Sequence, residues 1–329
     1  MKRKELLLCR VFLVAVFVCL SIVTGYAADS AFKPQNDVQF ICPFGPGGGS
    51  DIYARIAADI IQKNDWVGQP VMVVNKSGGG GAVGDAYTFS RKGNAEVITT
   101  YVSAQITSPL VNKSPVTYHN LTPICNLAMD EYTIGVLASS PYKTLKDFIE
   151  AAKEKPGAIT IGGSGKGTED ELVTGLLAKY AGVKFQYVSF NSTAEVMSAM
   201  LGGHLVAGIY NPNECDSQYE AGQLNILAAF GPERISMFPD VQTCAEAGYP
   251  DVVFQQFRGV FAPPEISEDA VKFWADVFEK VVGTERWQTE YIKKNGLTSR
   301  YIAGKDFFDF LDSEAQKYEV ILRDVGAIK

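Results

Sequence analysis

The feature that most constrains the fold is a repeated order in which an apolar strand leads into a glycine-rich loop and then into an amphipathic helix. The first example is CPFGPGGGSDIYARIAADII, residues 42–61. The order recurs at VMVVNKSGGGGAVGDAYTFSR and at AITIGGSGKGTEDELVTGLLAKYAG. In the first helix Ile52, Ile56 and Ile60 recur every four residues, which predicts one buried stripe. Strands that alternate with helices predict an α/β fold with a parallel sheet.

The first 27 residues have the pattern of a secretory signal peptide. Four basic residues precede an apolar stretch over residues 11–23, and Gly25 and Ala27 suit the small-residue cleavage site. The apolar stretch is short for a membrane span of about 20 residues, so an uncleaved anchor is the second interpretation. We expect cleavage near Ala27 and export to the periplasm.

The charge of the chain narrows the classes of partner. The chain has 30 basic and 37 acidic residues, a net charge of −7. Loss of the signal segment, which holds four basic residues and one acidic residue, makes the net charge −10. Such a chain suits neither nucleic acid nor an anionic membrane surface. An anionic small ligand is still compatible with it, because backbone dipoles act locally.

Four cysteines follow the signal segment: Cys42, Cys125, Cys215 and Cys244. An exported compartment permits disulfides, and four cysteines allow three complete pairings. Buried free thiols are an equally supported alternative. Because no CxxC pair and no metal-spaced cluster of His, Cys and Asp occurs, the sequence predicts neither a redox site nor a metal site.

Two glycine-rich segments resemble nucleotide-binding motifs but depart from them. GGGGAVG, residues 78–84, contains a G-x-G-x-x-G pattern, yet no acid follows about 20 residues later to hold a ribose. GGSGKGT, residues 162–168, fails the phosphate-loop spacing because Gly167 separates Lys166 from Thr168. We therefore expect no cofactor.

Nucleophilic catalysis lacks the partners that it needs. The two histidines, His119 and His204, lie in predicted turns, and no G-x-S-x-G or HExxH motif occurs. A glycosidase-type carboxylate pair is left open, since acids are plentiful, but nothing points to one. We expect no catalytic residues.

The glycine-rich loops lie at the predicted carboxyl ends of parallel strands, where open α/β sheets bind ligands. Glycine lets backbone N–H groups approach a ligand, and the helix that follows favours negative charge. One such loop would be explained as a tight turn, but three favour ligand binding. Two of these edges, facing each other across a cleft, would hold a carboxylate from both sides.

Ordered landmarks along the chain resemble the periplasmic receptors of tripartite tricarboxylate transporters, also called Bug receptors. They include PFGPGGGSDIYARIAA, GQPVMVVNKSGGGGAVG, AGVKFQYVSFNSTAEVMSAMLGGHLVAGI and RGVFAPP. The resemblance implies a type II periplasmic-binding-protein fold with two α/β lobes that close like a hinge. Lobe I would comprise residues 38–130 plus 252–329, and lobe II residues 131–251.

The resemblance also implies a non-catalytic, monomeric receptor that delivers a small organic carboxylate to the membrane permease subunits of a tripartite transporter. Ligand classes in the family include di- and tricarboxylates, acidic amino acids and aromatic carboxylates. An exported enzyme that uses the same cleft is one alternative, and a ligand sensor for a membrane signalling partner is another.

Ligand-binding positions are implied for both lobes. In lobe I they are Phe44, Gly47, Gly48, Gly49, Ser50, Gly79, Gly80, Gly81, Ser103 and Ala104. In lobe II they are Gly165, Gly167, Thr168, Glu169, Phe190, Asn191, Asn211 and Asn213. Since Ser and Asp are preferred N-cap residues, Ser50 or Asp51 would cap the first helix, and Asp51 is expected to be a structural cap.

The chain departs from many relatives at two points. GTEDEL has Thr168 in place of Ser and Glu171 where His is common, and FNSTAEV lacks the Lys and Gly that follow the aromatic residue. Acids in a first helical turn stabilise the helix dipole. The sharper hypothesis is that Glu169 or Asp170 meets an amino group of the ligand. Both departures favour a mono- or dicarboxylate or an acidic amino acid over a tricarboxylate.

Overall fold

The computed structural model of the chain describes residues 32–190, 192–324 and 326–329. The predicted signal segment and Asn191 lie outside these ranges. Within the described part of the chain, no helix is both long enough and apolar enough to cross a membrane.

The first β-sheet is built from the two ends of the described chain. Its strands are β1 (Val38–Cys42), β2 (Val71–Asn75), β3 (Val97–Val102), β4 (Thr122–Asp130), β10 (Gln256–Ala262) and β11 (Thr298–Ala303). They lie in the order β11-β4-β10-β3-β1-β2. β1 pairs in parallel with β2 and β3, as the sequence predicts, whereas β10 runs antiparallel to both β3 and β4.

The second β-sheet is built from the middle of the chain. Its strands are β5 (Thr133–Leu137), β6 (Thr160–Ser164), β7 (Gln186–Phe190), β8 (Ala207–Tyr210) and β9 (Leu224–Ala229). They lie in the order β7-β6-β8-β5-β9, with β6 parallel to β7 and β8. The chain passes from the first sheet to the second between β4 and β5 and returns between β9 and β10.

Helices connect the strands and cover the sheets. The α-helices are α1 (Gly49–Lys63), α2 (Ala82–Phe89), α3 (Ala104–Asn112), α4 (Leu145–Glu154), α5 (Glu169–Ala181), α6 (Thr193–Leu201), α7 (Pro212–Glu220), α8 (Glu268–Val282) and α9 (Gly304–Asp324). Single 3₁₀ turns span Gly79–Gly81 and Tyr118–Asn120, and a π-helix spans Trp287–Lys293. The alternation of helix and strand confirms the predicted α/β class.

The buried face of α1 differs from the predicted stripe. Ile60 is buried, but Ile52 is 38% exposed. Burial instead follows Tyr53, Ala57 and Ile61, which pack with the core of the first sheet. The buried stripe is therefore offset by one residue from the predicted one.

One hydrophobic cluster extends across both sheets. It contains Tyr101 and Phe257 of the first sheet together with Ile161 of β6 in the second sheet. Phe148 of α4 and Tyr318 of α9 belong to the same cluster. Lys179 of α5 also forms an ion pair with Asp324 of α9, with 2.6 Å between its Nζ and a carboxylate oxygen. The long C-terminal helix α9 therefore packs against both halves of the molecule.

The four described cysteines are buried as free thiols. The sequence left disulfides and free thiols open as alternatives, and the structure has free thiols. Burial raises the pKa of Cys215 and of Cys244 to about 12, so both thiols are held in their neutral, unreactive form.

Candidate functional site

A cleft of about 650 Å³ lies where helix N-termini from both sheets face each other. Its lining residues are Phe44, Gly48, Gly49, Ser50, Val102, Ala104, Tyr132, Ser164, Thr168, Glu169, Asp170, Ser192, Thr193, Ala194, Asn211, Glu214, Gln256 and Arg258. A compartment of about 210 Å³ shares Gly49 and Arg258 with it and adds Gly47, Asp130 and Asn213. The cleft therefore brings together predicted residues from both lobes with others that were not predicted.

The loop before α1 is held in place by Asp51. Its Oδ2 accepts the N–H of Gly47 at 2.9 Å and the Nε–H of Arg55 at 2.8 Å, and its Oδ1 accepts from Asn75. Burial opposes these bonds, but together they lower the pKa of Asp51. Gly47 has a φ of 79°, which is why glycine is needed there.

The expected cap at the start of α1 is wrong in position. Gly48 is the N-cap residue and makes no side-chain cap, while Ser50 and Asp51 lie inside the first turn. The Asp51 carboxylate reaches back to the loop instead of capping the helix end. Asp51 has the structural role that the sequence predicted, but it lies three residues after the N-cap position instead of at it.

The loop amides divide into occupied and available donors. The N–H of Gly47 is taken by Asp51, and that of Gly48 points to the Gly45 carbonyl at 3.4 Å. The N–H groups of Gly49 and Ser50 lie in the first helical turn, where the helix supplies no acceptor. Of these four amides, the two in the first turn therefore remain open to a ligand.

Arg258 is the main site residue that the sequence reasoning missed. It lies on β10, is only 6% exposed, and forms an ion pair with Asp130. Burial works to lower its pKa, but the Asp130 carboxylate raises it above the ordinary value. Among the described residues, its Nε is buried without a hydrogen-bond partner. The sequence RGVFAPP offered one sign of this role, because a charged residue within an otherwise apolar strand is unusual.

Arg258 and the first loop are packed directly against each other. A Cβ atom placed on Gly49 would lie 2.8 Å from Nη2 of Arg258. The absence of a side chain at Gly49 therefore lets the guanidinium lie beside the N-terminus of α1. Two sources of positive potential converge at one end of the cleft.

The loop before α5 resembles the first loop, but carboxylates of its own segment accept hydrogen bonds from its donors. Glu171 accepts the N–H of Gly167 at 2.6 Å, and Asp170 accepts both the N–H and the Oγ–H of Ser164. The N–H of Gly165 donates to the Phe190 carbonyl. The expectation that Gly165 and Gly167 offer amides to a ligand is therefore wrong, because other groups of the protein already accept from these amides.

The acids at the start of α5 are buried in the cleft wall. Glu169 accepts from Nε2 of Gln256 at 2.8 Å. Burial raises the pKa of Glu169, although hydrogen bonds from its own N–H and from Gln256 oppose the shift. Burial also raises the pKa of Asp170 to about 8. The hydroxyl of Thr168 donates to the Ser164 carbonyl at 2.7 Å, so it supports the loop.

The N-terminus of α6 also lies at the cleft, although it was not among the predicted ligand-binding positions. Ser192 is its N-cap residue, and Thr193 and Ala194 follow in the cleft wall. Phe190, a predicted ligand-binding residue, packs against the hydrophobic core of the second sheet and is not among the residues that line the cleft.

The glycine loop before α2 lies behind α3. Cβ atoms placed on Gly80 and Gly81 would meet the side chains of Ser108 and Gln105, and the Gly79 carbonyl accepts from Ser108. These three predicted glycines are not among the residues that line the cleft.

Ser103 is likewise buried away from the cleft. It has no exposed surface, and its hydroxyl forms a hydrogen bond of 3.0 Å with Tyr318 of α9. Ala104, the next residue, does line the cleft.

The two predicted asparagines after β8 line the site while bonding to the protein. Nδ2 of Asn211 donates to the Glu131 carbonyl at 2.7 Å and to Asp130 at 3.3 Å. Nδ2 of Asn213 donates to Asn295 at 3.2 Å. Both side chains therefore tie the second sheet to segments next to the first.

Comparison with known proteins decides the family. Residues 53–327 match the TctC model, described as tripartite tricarboxylate transporter family receptor. The chain belongs to this family. A relative of Cupriavidus necator, the UPF0065 protein in gbd 5'region, is 30% identical over 329 residues, which is 97% of each chain.

Several solved structures share the fold, among them that of the periplasmic binding protein BugD, at a TM-score of 0.76 and 20% identity, over 90% of this chain and 99% of that one. The chain matches Rpa4515 of Rhodopseudomonas palustris with adipate at a TM-score of 0.77 and 22% identity, over 89% of this chain and 98% of that one. It matches MatC of the same organism, with bound malate, at a TM-score of 0.72 and 18% identity, over 88% and 99%. The predicted type II periplasmic-binding-protein fold is thereby confirmed. TctC receptors are periplasmic and work with tripartite transporter permeases.

Proposed function

We propose that this TctC-family receptor captures a small organic carboxylate in the cleft and delivers it to the permease subunits of a tripartite transporter. The observation that carries the proposal is the convergence of Arg258 with the N-terminus of α1 at one end of a cleft of about 650 Å³. A buried guanidinium and first-turn amides are complementary to a carboxylate and to few other groups of that size.

One carboxylate of the ligand would accept from the N–H groups of Gly49 and Ser50 and from Arg258. Phe44 lies beside them in the cleft wall and would pack against the carbon chain. On the opposite wall, the N–H groups of Thr193 and Ala194 belong to the first turn of α6, where no helical acceptor exists. Closure of the cleft would bring this turn toward the ligand.

The hinge would lie where the chain passes between the two sheets. Lobe I would comprise residues 38–130 plus 252–329, and lobe II residues 131–251. Glu131, at the first crossing, accepts from Gln255 at 2.6 Å at the second, so the two connecting segments are joined to each other. A rigid-body rotation of the lobes about this pair of segments is the closure that we propose.

We infer a receptor without catalytic activity that acts as a monomer in the periplasm after cleavage near Ala27. The carboxyl groups of the cleft support this inference. Asp170 is committed to a serine of its own loop, and Glu169 to a glutamine of β10. Ser164, whose hydroxyl donates to Asp170, has no histidine beside it, because neither His119 nor His204 is among the residues that line the cleft.

Native mass spectrometry of freshly purified protein tests the proposal, because a retained ligand is weighed directly. A thermal-shift series with adipate, malate and matched amino acids follows, since a ligand that binds only the folded state raises the unfolding midpoint. We expect at least one carboxylate to raise the midpoint in a saturable manner while its NMR spectrum stays unchanged. Chemical conversion of the ligand would favour the exported enzyme. An unfolding midpoint that no carboxylate raises would overturn the receptor proposal.

A further inference from the structure

The two ends of the cleft have opposite electrostatic character. Arg258 and the N-terminus of α1 form a positive end. The remaining wall carries Glu169 and Asp170 at the start of α5 and Glu214 in the first turn of α7. Arg258 is the one cationic side chain among the described residues that line the two compartments, and Asp130 already pairs with it.

The acids of this wall accept from the loops before α5 and α7 and from the Thr193 hydroxyl, donors that a second anion would otherwise use. Asp170 and Glu171 accept from the loop before α5, as described above. Glu214 accepts the hydroxyl of Thr193 and the N–H of Asn211, both at 2.9 Å. A carboxylate placed there would make the ionised form of these acids still less favourable, whereas a cation would stabilise it.

The positive end carries an independent sign of a ligand. Arg258 is 6% exposed and lines both compartments, yet its Nε has no partner among the described residues. A buried Nε–H group without an acceptor costs free energy, and a ligand carboxylate would supply that acceptor.

We infer that the ligand combines a carboxylate with an ammonium group, so that the receptor selects amino acids or other aminocarboxylates over simple dicarboxylates. The carboxylate lies at Gly49, Ser50 and Arg258, and the ammonium lies against Glu169 and Glu214. This inference rests on the proposed function and names the ligand class of the same site. Burial raises the pKa of Glu169, and a neighbouring ammonium stabilises its ionised form.

Calorimetric titration with matched ligands tests the inference. In one pair, aspartate differs from malate by an ammonium in place of the hydroxyl. In the other, δ-aminovalerate differs from adipate by an ammonium in place of one carboxylate, and valerate lacks both. We expect the ammonium member of at least one pair to bind about tenfold or more tightly than its partner, as one charge-assisted hydrogen bond provides.

Variants of the acidic residues test whether they cause the preference for the ammonium ligand. Glu169→Gln keeps an acceptor for Gln256 but removes the charge, and it is expected to bring the ratio within the preferred pair below about threefold. Glu171→Gln, two residues along the same helix, is the matched control and should leave that ratio unchanged. Glu214→Gln serves as the second test, should Glu169→Gln fail to fold.

The outcomes separate this inference from the proposed function. If neither pair reaches the tenfold ratio while a dicarboxylate still binds, the ammonium inference is overturned and the carboxylate receptor stands. An unchanged ratio in folded Glu169→Gln and Glu214→Gln would also overturn it. If no member of the panel binds and no retained carboxylate is found, the receptor proposal itself fails.

Discussion

Arg258 and Asp130 form a buried ion pair across two neighbouring antiparallel strands at the centre of the first sheet. Asp130 is the last residue of β4, and the chain crosses to the second sheet immediately after it. Asn211, from the far side of the cleft, donates to the same carboxylate. The pair therefore couples the proposed carboxylate anchor to the crossing point between the sheets.

Breaking this pair is expected to destabilise the protein. Arg258→Met keeps much of the side-chain volume but leaves the Asp130 carboxylate buried and unpaired, which costs about 3–5 kcal/mol. Addition of Asp130→Asn should recover part of the loss, because the stranded charge is then gone. Urea denaturation of both variants measures this difference, and equal stability of Arg258→Met and the natural protein would refute the coupling.

Substitution at Gly49 is expected to impair binding more than folding. Alanine suits the helical backbone at that position, but its Cβ would lie 2.8 Å from Nη2 of Arg258, so the guanidinium must move. We expect at least a tenfold loss of affinity, or about 1.4 kcal/mol, for the carboxylate that binds best. Calorimetric titration gives the affinity.

Gly45→Ala is the matched control for Gly49→Ala. A Cβ at Gly45 would meet nothing within 4 Å, and Gly45 lies in the same loop. Its affinity should equal that of the natural protein. Equal losses in the two variants would show that the loop as a whole is sensitive, and they would contradict a specific role for the contact with Arg258.

A buried acid away from the cleft predicts how stability depends on pH. Burial raises the pKa of Asp85 from its ordinary 3.8 to about 7, although a hydrogen bond from Gln105 opposes the shift. Because the unfolded chain ionises at lower pH than the folded one, this contribution to the free energy of unfolding is full below pH 3.8 and declines up to about pH 7.

Asp85→Asn should therefore weaken the dependence of stability on pH between those limits, since an amide does not titrate. Urea denaturation at a series of pH values compares the two slopes. Parallel curves for Asp85→Asn and the natural protein would contradict a raised pKa in the folded state. The amide oxygen retains an acceptor for Gln105, so the variant is expected to fold.

The cysteines predict slow thiol chemistry in the folded state. Cys42, Cys125, Cys215 and Cys244 are buried and free, and burial raises the pKa of each thiol. A thiol reagent at neutral pH should label them only as fast as the protein unfolds, and rapidly in urea. Intact mass after alkylation under denaturing, non-reducing conditions should show all four labelled, and a disulfide would leave two unlabelled.

Much of the fold follows from local patterns in the sequence. Apolar runs of β-branched residues, glycine-rich loops and amphipathic helices predicted the units that begin with β1, β2 and β6, each with the helix that follows it. The loop PFGPGGGSD was placed in the site on the same basis, and Gly48, Gly49 and Ser50 do line the cleft. Such signals are readable because each depends on residues within about one turn or one strand of each other.

The tertiary structure decided which of these loops reach the cleft and with what charge. Gly79–Gly81 have the most glycine-rich sequence, yet α3 covers them, whereas Arg258 joins the site only because β10 inserts between β3 and β4. The loop before α5 looked like an anion site, but its own carboxylates accept its donors. Strand order and the choice of hydrogen-bond partners depend on contacts between residues far apart in the chain, which local patterns do not record.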